Sequence, residues 1–259
     1  MSDVLKAQSG AVLTLTINRP KARNSLVKSV LHDLTEAFTG ASSDESIRAV
    51  ILKGADGHFC AGADLKQTFA EDPDLLDRAE EYMDRFHGLI KSIVHSPKPI
   101  IAQMQGGAVG FGADLALACD FRTASEDAYL QEKFTKIGLL PDGGGTLWLP
   151  KLLGLSRAMQ LVFLAEKVEA KQMNEWGLLT KLTSSAEIEG TTNALAAELA
   201  KGPPLAFAAS KRAMHASVGS IDEALLRERE AQVKLLRSAD CMEGVMAWAQ
   251  KREPNFTGQ

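Results

Sequence analysis

Three glycine-rich turns carry the residues whose types and spacing could do chemistry. The first two are Phe59-Cys60-Ala61-Gly62-Ala63-Asp64-Leu65 and Gly106-Gly107-Ala108-Val109-Gly110-Phe111-Gly112, and the third, Pro141-Asp142-Gly143-Gly144-Gly145-Thr146, contains an acid. Such turns leave backbone N–H groups unpaired and reachable, and two of these converging on one carbonyl oxygen stabilise an enolate. An acid beside an oxyanion site points to proton transfer.

Those turns need rigid elements to aim them. Leu13, Leu15 and Ile17 alternate with Thr14 and Thr16, the period of a half-buried strand. The apolar runs 48–54 and 99–104 read as buried strands. Between them, 26–38 sets Leu26, Val30, Leu31, Leu34 and Phe38 near one helical face, and 75–94 does the same with Met83, Phe86, Leu89 and Ile90. The polar stretch 67–77 reads as a lid or loop. After Ser156 the pattern turns helical, through 158–164, 170–176, 188–201 and 221–238, with little strand signal. This gives an α/β core over 1–200 and a helical subdomain over 201–259.

A chain of 259 residues supports one large core, or a main body with a smaller attached part. Hydrophobic residues at 45% and charged residues at 24% are ordinary for a soluble fold and exclude disorder as the main reading. The net charge of −4, without a block of Lys and Arg, argues against a nucleic-acid partner. The start lacks a basic stretch followed by an apolar core, and the apolar region 108–119 is interrupted by Asp114 and is too short for a bilayer. Three cysteines, Cys60, Cys119 and Cys241, fit reduced thiols and a cytoplasmic home. Neither they nor the five histidines have metal-ligand spacing, so no metal site is expected.

The motifs also have a family likeness. Asn18-Arg19-Pro20, the FCAGADL run at 59–65, KPIIAQMQG at 98–106, ALACD at 116–120 and IGLLPDGGGT at 137–146 resemble the crotonase family of enoyl-CoA hydratases and isomerases. Leu149-Pro150-Lys151, Glu175-Trp176-Gly177-Leu178 and the closing run from Lys251 to Phe256 extend the likeness over nearly the whole chain. The resemblance implies an α/β spiral of β-β-α repeats whose C-terminal helices drive association into homotrimers or dimers of trimers. It implies an acyl-CoA thioester as substrate, with no cofactor beyond the coenzyme A that the substrate carries.

By the same resemblance, the backbone N–H groups of Ala63 and Phe111 form the oxyanion hole. Lys21, Ala22, Ala61, Asp64, Leu65, Lys66 and Phe134 lie where relatives bind coenzyme A or substrate, and Phe256 resembles an aromatic that reaches a neighbouring subunit's nucleotide. Family hydratases carry two glutamates. The first matches Asp114 and the second falls on Phe134, which leaves the water-activating pair incomplete. Asp142 matches an aspartate found in dienoyl-CoA isomerases, 4-chlorobenzoyl-CoA dehalogenases and 1,2-epoxyphenylacetyl-CoA isomerases, and the string 137–150 is most like the last group.

Plainer readings stand beside these. Without the family order, either glycine turn alone would be a packing device. Asp142, ahead of three glycines and a threonine, is a good turn former or helix N-cap. Asp114 would face a subunit contact or a buried water, while Glu132 and His58 would be surface residues. Phe69, Phe111, Phe134 and Trp148 are the apolar candidates for an acyl pocket. The favoured reading is an enolate-forming isomerase that moves a double bond or rearranges an epoxide, with Asp142 as base. Alternatives are a hydratase in which Asp114 and Asp142 are the catalytic acids and hold water between them, an aryl-CoA dehalogenase on the same scaffold, and a non-catalytic acyl-CoA or RNA binder. The mixed charge of 78–91 argues against RNA.

Overall fold

Nine strands occur among the described residues, which in this computed structural model are 2–71, 73–255 and 257. They are β1 (Val4–Ser9), β2 (Val12–Ile17), β3 (Ala49–Gly54), β4 (Ile100–Met104), β5 (Gly107–Val109), β6 (Phe121–Ser125), β7 (Tyr129–Gln131), β8 (Lys167–Glu169) and β9 (Lys181–Thr183). The larger sheet runs β1-β2-β3-β4-β6-β9, antiparallel in its first pair and parallel from there on. A shorter ladder lies alongside. Leu26 bridges Ala63, Cys60 bridges Ala108, and β5 pairs in parallel with β7, which pairs with β8. Successive passes of the chain thus add a segment to each ladder, and the chain winds as a spiral.

The helices among the described residues are α1 (Lys28–Ser43), α2 (Leu65–Glu71), α3 (Ala79–Val94), α4 (Phe111–Ala118), α5 (Gly145–Leu153), α6 (Leu155–Leu164), α7 (Ala170–Glu175), α8 (Ile188–Lys201), α9 (Pro204–Val218), α10 (Ile221–Leu236) and α11 (Ala239–Gln250). Central strands β3 and β4 are almost wholly buried, as parallel strands covered on both faces must be. Val50, Leu52, Ile100 and Ala102 belong to the main core with α1 and α3. Ala49, Ile51 and Ile101 meet Ala196 of α8 on the other face. Every residue of α4 is buried, which explains its lack of an amphipathic stripe.

Several sequence-based expectations need correction. The stretch 65–71 is helix α2 rather than loop, because Asp64 caps it, its carboxylate accepting the Gln67 N–H at 3.1 Å. A 3-10 turn over Leu75–Arg78 precedes α3, so that helix starts at Ala79. Two strands, β8 and β9, follow Ser156. Each has three residues, too few to display a period.

Glycine is required where the turns at 59–65 and 106–112 meet. Gly62 has φ +85°, and a Cβ there would lie 2.7 Å from the Val109 carbonyl oxygen. Gly62→Ala is therefore expected to destabilise the fold by about 1–3 kcal/mol, read as a lower urea midpoint. An unchanged midpoint would mean that the turns separate freely and do not form one rigid unit.

Candidate active site

Helix α4 opens at Phe111, so the Phe111 N–H is the first of a helix and has no acceptor within it. Neither it nor the Ala63 N–H makes a backbone hydrogen bond among the described residues. Their turns are in contact, since a Cβ placed on Gly62 would lie 3.3 Å from the Phe111 nitrogen. At the far end of α4 the Arg122 guanidinium donates to the Cys119 carbonyl at 2.6 Å and to those of Ala116 and Leu117 at 3.3 Å. A cation at the C-terminal end complements the helix dipole, whose positive end is at Phe111.

Both turns line a cavity of about 380 Å³. Tyr82, Met83 and Phe86 enter it from α3, Gln232 and Leu236 from α10, and Trp248 from α11. Asp142 also lines it. Asp142 is 7% exposed, with Oδ2 accepting from Gln232 Nε2 at 2.6 Å and Oδ1 buried without a partner.

Asp142 is not a helix cap. Helix α5 starts at Gly145 with Gly144 in the cap position, and Glu228 of α10 serves its N-terminus instead, accepting from Gly144 N at 2.9 Å and Thr146 N at 3.1 Å. Asp114 Oδ2 accepts the Gly143 N–H at 2.8 Å, so Asp114 holds the turn. The glycines make room for it, since a Cβ on Gly143 would sit 2.6 Å from the Asp114 Cβ. His87 Nε2 lies 3.1 Å from the Asp142 carbonyl oxygen, an acceptor, which fixes the proton on Nε2.

A family model described as enoyl-CoA hydratase/isomerase matches residues 7–259. The chain belongs to the enoyl-CoA hydratase/isomerase family. It is 38% identical over 252 residues to a probable enoyl-CoA hydratase of Rhodobacter capsulatus, covering 97% of this chain and 96% of that protein. It is 36% identical over 264 residues to the 1,2-epoxyphenylacetyl-CoA isomerase of Escherichia coli, with 100% of each chain covered. An enoyl-CoA hydratase structure from Mycobacterium avium subsp. paratuberculosis superimposes with a TM-score of 0.89 at 36% identity, over 99% of both chains. The crotonase-like α/β fold that the motifs implied is the fold observed.

Within this hydratase/isomerase scaffold the cavity gathers Ala22, Ala61, Ala63, Asp64, Leu65, Lys66, Phe111, Phe134 and Asp142. Lys21 is exposed on a 3-10 turn outside the lining, and Phe256 lies outside the described residues. Asp64 is committed to structure, its Oδ2 taking the Arg19 guanidinium and the Ser25 hydroxyl at 3.0 Å each. Burial alone would raise Asp64, but the Gln67 N–H, Ser25 and Arg19 outweigh it and lower its pKa. Phe69 lines an adjoining cavity and Trp148 packs edge-on to His215, so neither is among the residues that line the cavity with Asp142. His58 is half-buried and its Nδ1 accepts the Gly107 N–H at 3.2 Å. Glu132, expected at the surface, is 1% exposed, with neither carboxyl oxygen hydrogen-bonded.

Four acids therefore surround the 141–146 turn, and of these Asp142 alone reaches the cavity. Burial first, then Glu132, Glu228 and Asp142 nearby, push Asp114 well above the carboxylate range despite the Gly143 N–H. Burial, Asp142 and Glu228 do the same to Glu132. Burial and the neighbouring Glu228 raise Asp142 to about 8 against the Gln232 donor, and burial raises Glu228 to about 7. Burial lowers His87 to about 4, leaving it neutral. Among the described residues no group of three His, Cys, Asp or Glu side chains is placed to hold a metal ion. No helix of the described residues is long and apolar enough to cross a membrane.

Carboxyls that hold protons more tightly folded than unfolded lose stabilisation as pH rises, because the unfolded chain then releases the protons first. Asp142 moves from 3.8 to about 8 and Glu228 from 4.5 to about 7, which puts the loss between those values. The urea midpoint of the ligand-free protein is expected to be lower at pH 8 than at pH 5, and Asp142→Asn to reduce that difference. Equal midpoints at both pH values would contradict burial as the dominant influence on these acids.

Proposed function

We propose that this family member is an acyl-CoA isomerase in which Asp142 is the catalytic base. The observation that carries the reading is that one acid of the buried cluster reaches a cavity also lined by Ala63 and Phe111, with its Oδ1 unpaired. A thioester carbonyl accepts from the Ala63 and Phe111 N–H groups. Asp142 Oδ1 takes a C–H proton, the electron pair moves into the enolate, and the two donors hold the oxyanion, each lowering the barrier by about 3–4 kcal/mol. The Asp142 carboxyl then returns the proton at another carbon and the double bond shifts. No atom is gained or lost, and no added group is needed. An epoxide substrate would use the same donors and base for ring rearrangement.

Lys66 and Lys133, which line the cavity with the apolar Leu65, are suited to the phosphates of coenzyme A. Leu155, Met159 and Phe163 expose one apolar face of α6, at 60%, 46% and 66%, which supports association of copies as homotrimers or dimers of trimers. The second reading is hydration, favoured by the Rhodobacter relative named as a probable enoyl-CoA hydratase. Against it stands the position of the second hydratase glutamate, occupied here by Phe134.

With 3-enoyl-CoA thioesters the product is expected to have the mass of the substrate, and Asp142→Asn to lower kcat about 10²–10⁴-fold. A product heavier by one water would favour hydration. Since Asp142 must be ionised to act, kcat/KM should rise tenfold per pH unit below about 8 and level above it. A profile flat from pH 6 to 9 would remove Asp142 from the role.

A further inference from the structure

Glu228 and Gln232 stand four residues apart on α10, and so share one helical face. Both are 1% exposed, and both spend their polar atoms on the turn that carries Asp142. Gln232 Oε1 accepts the Leu140 N–H at 3.2 Å while its Nε2 donates to Asp142 Oδ2 at 2.6 Å. Glu228 accepts the N–H groups of Gly144 and Thr146, and its Oε1 also takes the Thr146 hydroxyl. Leu140, Asp142, Gly144 and Thr146 are thus gripped from one helix more than eighty residues away in sequence.

We infer that Glu228 and Gln232 are positioning residues for the reaction: they fix the turn, pin Asp142 Oδ2, and leave Oδ1 as the carboxyl oxygen without a partner. This rests on the reading of Asp142 as base. It gives α10, in the C-terminal helical region, a part in the chemistry of its own subunit. Glutamine suits the place because its amide presents an acceptor and a donor together, one for a backbone N–H and one for a carboxylate. A carboxylate held through one oxygen keeps its rotamer, and the other oxygen stays free to take a proton.

Opposite effects on the base follow from the two contacts. Gln232 favours the Asp142 anion by donating to it, whereas the Glu228 anion nearby disfavours it. The other groups facing Asp142 are Tyr82 and His87 from α3, Asp114 from α4, and Glu132, which adjoins β7. His87 is neutral, and burial together with the neighbouring acids pushes Asp114 and Glu132 well above the carboxylate range.

The test uses the full-length protein with trans-3-hexenoyl-CoA, following the conjugated product by absorbance from pH 6 to 9.5. Gln232→Met, matched in length but without a donor, is expected to lower kcat about 10- to 100-fold with KM little changed. It should also move the acidic limb of kcat/KM up by about half to one pH unit. Glu228→Gln should move that limb down. Asp142→Asn is measured alongside. If Asp142→Asn keeps full activity, the base assignment itself falls. If it is inactive while both α10 variants keep wild-type kcat and pH limbs, or their limbs move the same way, the positioning role is overturned and Asp142 stands. Should Gln232→Met fail to fold, the Glu228→Gln limb decides alone, since that variant retains an acceptor oxygen for the turn.

Discussion

A buried turn must find acceptors for its backbone N–H groups; 140–144 has neither helix nor strand to supply them, and the first N–H groups of α5 have no acceptor within the helix. Side chains do it. Gln232 takes Leu140, Asp114 takes Gly143, and Glu228 takes Gly144 and Thr146, while His87 donates to the Asp142 carbonyl. Three helices, α3, α4 and α10, are thereby tied to one turn. The three glycines belong to the same constraint, because Gly143 and Gly145 leave the space that Asp114 fills. A carboxyl is the usual answer to a cluster of orphaned N–H groups, and placing several in one dry region forces protons onto most of them.

Helix α4 links this turn to one of the proposed oxyanion donors. Phe111, at its start, lines the cavity with an N–H that has no backbone acceptor, and Asp114, three residues later on the same face, grips Gly143. One short, wholly buried helix therefore sets the separation between that proposed donor and the proposed base. Arg122 at its other end and the contact of Gly112 with the Cys60 backbone keep that helix from shifting. A site built on such a rigid element holds its geometry better than one built on loops alone.

Much of this was legible in the residues. The glycine turns and the strands at 13–17, 48–54 and 99–104 follow from period and composition, and the family motifs ordered them into one fold. The misses share a physical cause. Glu132 looked like a surface acid because polar residues usually are, and only the packing around β7 shows it enclosed. Glu228 and Gln232 sit among Arg227, Arg229 and Glu230, a run that reads as a solvated helical face, and their partners are too distant in sequence for any local signal. Trp148 is an apolar candidate for the acyl pocket by residue type. In a helix, however, the direction of a side chain is fixed by its turn, and α5 points this one at His215.

The walls of the cavity bear on which reaction the proposed base performs. Phe86 meets Phe111 edge-on with ring centroids 4.6 Å apart, and Tyr82 packs on Phe86 at 4.9 Å, forming an aromatic band along α3 that continues to Met83. Phe134 adds a further ring where a hydratase would carry a second carboxylate. Burial among these side chains, with Glu228 nearby, raises the Asp142 carboxyl to about 8. At that value it is strong enough to take a proton from carbon and weak enough to return it, so the walls that enclose the carboxyl also tune it for the proposed proton shuttle.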